Sequence, residues 1–147
     1  MAKLANNMFK QAIVALISVL LFSCDKVDCN GDLDGQWQMI EWTSPNGELV
    51  GNSEMQIYYS FQLQMMMFQN LSESLGQQRA SFENQGSSIR IYDPIEYQGH
   101  GHDKILSMDV LSRYGVPSNG MMKIEHLSPQ KMVLSSTEKG RLTFRKY

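Results

Sequence analysis

The chain is poor in cysteine, in long apolar runs and in the residue constellations that carry catalysis. Cys24 and Cys29 are the only two cysteines among 147 residues. They lie five apart, ahead of every patterned segment, so no disulfide framework staples the fold. No apolar stretch approaches the roughly 20 residues that a membrane-spanning helix needs. Ala12 to Phe22 is a run of only eleven residues, apolar but for Ser18 and cut off by Ser23, Cys24, Asp25 and Lys26. Excess positive charge is also missing: beyond Lys3 and Lys10, eleven basic residues face 15 acidic ones, a net of −4. That balance excludes a nucleic-acid partner, which would demand a basic face. There is no G-x-S-x-G elbow, no phosphate-binding loop, no cysteine near a histidine in the patterned part and no paired carboxylates. The chain therefore reads as a non-enzyme that needs no cofactor.

What is present begins with targeting. Lys3 and Lys10 precede the eleven-residue apolar run with no acid among them, the charge and length pattern of a secretory signal. An ordinary signal-peptidase site has small side chains at −3 and −1, whereas Leu21 stands at −3, Ser23 at −1, and a cysteine follows. Leu21-Phe22-Ser23-Cys24 resembles a lipobox, which implies removal of residues 1–23 and lipidation of Cys24. Two or more acyl chains give stable attachment, so the partner implied is a membrane, most simply the bacterial outer membrane on its periplasmic or outer face. Residues 24–34 form an acidic tether with Asp25, Asp28, Asp32 and Asp34 relieved only by Lys26. Asp25-Lys26-Val27-Asp28 resembles the export tag of Bacteroidota surface lipoproteins.

Residues 35–147 carry strand patterning. With 42% apolar and 19% charged residues, the composition is that of an ordinary globular domain. Gly35 to Thr43 predicts a first strand before the turn formers Ser44-Pro45-Asn46-Gly47. From Met55 to Met67 apolar and polar residues alternate, which predicts one long strand with Met55, Ile57, Tyr59, Phe61, Leu63, Met65 and Met67 on a single face. Gln78 to Glu83 and Ile89 to Tyr92 predict a hairpin pair stopped by Asp93-Pro94. Ser107 to Tyr114 alternates weakly, but Ser107 as cap and Gly115 and Pro117 as stops favour a short helix. Met121 to Leu127, Lys131 to Ser136 and Arg141 to Tyr147 form a closing meander. Strands at this spacing without crossover helices predict an all-β antiparallel architecture, a small up-and-down barrel or an open β-sandwich.

Leu33-Asp34-Gly35-Gln36-Trp37 resembles the L-x-G-x-W opening of lipocalin-like domains. Ile124 to Leu134 and Leu142 to Tyr147 resemble the last strands of small lipocalin-like lipoproteins of Bacteroidota. The resemblance covers about Gly31 to the end. It implies an up-and-down barrel of about eight short strands with an apolar interior, with Trp37 at its base and Arg145 packed over the tryptophan, and it implies a small hydrophobic ligand. Met55, Ile57, Tyr59, Phe61, Leu63 and Met65 would then line the cavity. The same face could equally be filled, making the domain an accessory subunit of an envelope complex.

Two further clusters invite chemical readings. His100-Gly101-His102-Asp103 places two imidazoles and a carboxylate within four residues, but two ligands from one glycine-flanked segment do not close a metal site, and a solvated turn is the simpler reading. Nine of the eleven methionines lie beyond the signal, clustered at Met65-Met66-Met67 and Met121-Met122. Core packing accounts for them more simply than capture of a soft metal.

Overall fold

The computed structural model describes residues 29–73, 77–96 and 104–147. Ten strands follow one another: β1 (Gly35–Thr43), β2 (Leu49–Asn52), β3 (Ile57–Gln62), β4 (Met65–Asn70), β5 (Gln78–Asn84), β6 (Ser88–Glu96), β7 (Lys104–Ile105), β8 (Met121–Leu127), β9 (Lys131–Ser136) and β10 (Gly140–Lys146). The hydrogen-bonded path β10-β9-β8-β6-β5-β4-β3-β1 returns to its start because β1 also pairs with β10. Eight antiparallel strands thus close a barrel, and closure leaves no long edge for another chain to pair with. β2 adds to the outgoing half of β1, and β7 to the outgoing half of β6. The barrel, not the open sandwich, is the architecture.

The interior follows from alternation and its interruptions. Trp37 and Met39 point inward from β1, and a register shift between Met39 and Glu41 turns Trp42 inward as well. On β10, Leu142 and Phe144 face the core, as do Ala80 and Phe82 on β5 and Ile89 and Ile91 on β6.

The single strand expected over Met55 to Met67 is instead a hairpin. Leu63 and Gln64 form a two-residue turn, so that Gln62 faces Met65 and Phe61 faces Met66. Partners across a hairpin share a face, and a two-residue turn therefore moves the inward set from odd to even positions. Ile57, Tyr59 and Phe61 are buried on β3, but Met66 and Phe68 are the buried residues of β4. Leu63 and Met65 lie outside, and Met55 belongs to a 3₁₀ turn, Ser53–Met55, half-buried against the core.

Nor does β6 stop at Asp93-Pro94. Ser81 faces Tyr92 and Arg79 faces Ile95, so Asp93 and Pro94 together oppose Ala80 in a bulge, with φ 48° at Asp93. A proline is tolerated there because the bulge takes its missing N–H out of the ladder. The predicted short helix is a 3₁₀ helix, Met108–Tyr114, with Ser107 Oγ accepting from the Asp109 N–H and Gly115 in a left-handed cap. It sends Leu111 and Tyr114 into the core.

Register fixes the two ends. The chain enters through a 3₁₀ turn, Gly31–Leu33, at the end that also carries the β3–β4, β5–β6 and β8–β9 turns. The 3₁₀ helix and the β1–β2 and β9–β10 turns occupy the far end.

Candidate functional site

Aromatic rings occupy the barrel axis. Tyr59 stands at the centre, its ring centroid 4.8 Å from Phe68, 4.7 Å from Phe144 and 6.5 Å from Phe61. Phe61 continues to Phe82 at 5.3 Å, and Phe68 to Tyr114 at 5.6 Å. These separations are those of packed aromatic pairs. Ile57, Tyr59 and Phe61, three of the six residues expected to line a cavity, are therefore surrounded by other side chains. The Tyr59 hydroxyl donates to the Tyr114 carbonyl at 2.6 Å, and burial pushes its pKa far above the ordinary phenol value. The Tyr114 hydroxyl is buried without a partner among the described residues, and desolvation raises its pKa too, with Arg113 opposing and Glu73 adding to the shift.

Trp37 sits at the base, fully buried, with its indole N–H donating to the Leu33 carbonyl at 2.8 Å. The basic group over its ring is Lys146, not Arg145. The Lys146 ammonium lies 4.3 Å from the ring centroid and donates to the carbonyls of Asp32 and Asp34. Arg145 faces outward and holds the Gln38 amide oxygen at 2.8 and 3.0 Å. Alternation decides the matter: Leu142 and Phe144 point inward, and Lys146, not Arg145, shares their parity. Lys146 thus ties the last strand to the turn through which the chain enters.

A groove of about 890 Å³ opens on the outer wall beside that entry, with Leu63, Met65 and Tyr92 as its exposed apolar part and Cys29 and Asn30 along one side. Its shape follows from the sheet. Met65 on β4, Ser81 on β5 and Tyr92 on β6 form one cross-strand row, and the small serine between two large side chains leaves the hollow. Arg90 covers the Tyr92 ring at 5.8 Å. Asn30 fixes the rim, donating Nδ2 to the Leu63 carbonyl at 2.8 Å and to the Asp34 carboxylate at 2.7 Å. A second hollow of about 740 Å³ lies across the entry turn, between Gly31, Gln62, Pro129 and Lys146.

Leu63 and Met65, expected inside, thus belong to an outer groove, and the parts of Ser81 and Tyr92 in it had no separate signal in the sequence. The hollow depends on register, which alternation within a single strand does not set. Cys24, His100, His102 and Asp103 lie outside the described residues. Among the described residues no group of three His, Cys, Asp or Glu side chains is placed to hold a metal, and no helix is long and apolar enough to cross a membrane. Cys29 is an exposed free thiol.

Comparison with known proteins places this barrel in a family. The profile of the lipocalin-like domain matches residues 19–147, and the chain belongs to that family. A crystal structure of a lipocalin-like protein from Bacteroides uniformis ATCC 8492 is similar, with 26% identity and a TM-score of 0.57 over 80% of this chain and 100% of that one. A protein from Bacteroides eggerthii DSM 20697 shares the fold at 23% identity and a TM-score of 0.52, over 78% of this chain and 99% of that one. A protein from Burkholderia xenovorans shares it at 11% identity and a TM-score of 0.53, over 78% and 83%. No curated protein matches the chain.

Proposed function

We propose that the protein is a lipid-anchored, non-enzymatic binding module of the bacterial cell envelope, held through Cys24 and taking up a small hydrophobic molecule at the groove beside its tether. The observation that carries the binding half is a contrast. The axis is filled by rings in contact, whereas the outer groove is open, apolar in part and of ligand-pocket size. An accommodating thioether, Met65, stands in it, a side chain suited to varied apolar partners. The anchoring half is supported by the lipobox-like Leu21-Phe22-Ser23-Cys24 and by the acidic tether. The family match begins at residue 19 and so includes that segment.

Native mass spectrometry of the mature protein, extracted from its source membrane in mild detergent, tests the binding half. A small apolar mass should travel with the protein and be depleted in Met65→Lys. The filled axis favours a second reading, an accessory subunit that works through its outer surface. That reading gains if a protein-sized companion co-purifies and no small molecule does.

A further inference from the structure

The β3–β4 turn breaks a local rule. Leu63 holds φ at 55°, left-handed backbone that glycine adopts freely and a leucine adopts only under strain, and its side chain is 56% exposed. Neither the backbone nor the core calls for leucine there, and a rule broken without local gain marks a position with another task.

The tether indicates the task. Asn30 binds the Leu63 carbonyl at 2.8 Å, so the chain leaves the barrel at this tip. From Asn30 back to Cys24 is six residues, a reach of roughly 20 Å when fully extended. β1 alone, from Gly35 to Thr43, spans roughly 26 Å, so the far end stands beyond that reach when the barrel is upright. Met65 and Tyr92, each about one-third exposed (37% and 36%), continue the apolar surface from Leu63 along the groove.

We infer that the tether end of the barrel is a membrane-docking face, with the Leu63 tip seated in the interface of the same leaflet that anchors Cys24. This rests on the anchoring reading above. The partner is a zwitterionic lipid surface: at this end Asp32 and Asp34 stand beside Lys131, Arg145 and Lys146, so acids and bases offset one another and neither sign selects charged headgroups. Docking also turns the groove toward lipid.

The test uses the full lipidated protein, carrying Cys29→Ser and reconstituted in phosphatidylcholine and phosphatidylethanolamine vesicles that contain a nitroxide-labelled lipid. An environment-sensitive dye is attached at Leu63→Cys, at Met65→Cys as a second tip position, or at Leu49→Cys, an exposed site on the far end. Quenching several-fold stronger at 63 and 65 than at 49 is expected. Equal quenching at all three, or stronger quenching at 49, overturns the proposal. The mass of the N-terminal peptide from the same sample separates the two failures. A lipidated Cys24 with an unquenched tip defeats docking alone, and an unlipidated Cys24 defeats the anchoring reading and docking with it.

Discussion

Two tyrosines in the barrel axis make opposite demands on their hydroxyls. Tyr59 spends its proton on the Tyr114 carbonyl, so Tyr59→Phe should lower unfolding free energy by about 1–2 kcal/mol, leaving that carbonyl without its donor. The Tyr114 hydroxyl has no partner among the described residues, so Tyr114→Phe should be neutral or slightly stabilising. Urea denaturation of the two variants checks the pair, and equal losses would show that the hydroxyls are not differently placed. Both phenols have pKa values raised above the ordinary 10 by burial. A raised folded-state value means stability is fully present below about pH 10 and falls as pH rises above it, because the unfolded chain ionises first. In a base titration followed by tyrosinate absorbance, Tyr59 should ionise only as the barrel unfolds, and Tyr114 above the ordinary phenol range. At Leu63 the backbone itself is under strain. Leu63→Gly should raise stability by roughly 1 kcal/mol, the relief of left-handed strain outweighing the extra entropy of the unfolded glycine, as read from the urea midpoint.

At the scale of elements, the shortest seam in the ring is that between β6 and β8, which pair over only Ser88 to Arg90. Gly120 extends it, its carbonyl accepting from the Ile91 N–H at 2.8 Å with φ at 68°. A Cβ there would run into the Ile91 carbonyl oxygen. Gly120→Ala should cost roughly 3 kcal/mol and should speed amide exchange at Ile91 before exchange rises elsewhere. The strands that were legible in the sequence are those with turn chemistry at both ends. β9 lies between Ser128-Pro129-Gln130 and Thr137 to Lys139, and β1 ends at Ser44-Pro45-Asn46-Gly47. The β3–β4 turn was not legible because Leu63-Gln64 contains no glycine, asparagine, aspartate or proline, and alternation runs through it unbroken. β6 was cut short for the opposite reason: Pro94 reads as a stop, and only a bulge makes room for it. The base of the barrel was half legible. Trp37 stood out by its G-x-W setting, whereas the cation over it was misassigned to Arg145, although parity with Phe144 points to Lys146.

For the whole molecule, the proposed anchor makes one residue outside the described barrel decide location. Cys24→Ala should leave the protein unlipidated and out of the membrane fraction, and Cys29→Ala should change neither; membrane fractionation with intact mass measurement checks both. The barrel itself depends on the pairing of its first strand with its last. β1 meets β10 over six residue pairs from Trp37 to Thr43, and Lys146 then reaches the carbonyls of Asp32 and Asp34. A chain made from its N-terminus therefore holds β1 unpaired on that side until β10 has been added. Such distant pairings form slowly, since the loop between them must be closed before any contact rewards it. Until then two open strand edges persist, each able to pair with a neighbouring chain. The arrival of β10, not the formation of any one hairpin, is the event that commits this protein to its closed shape.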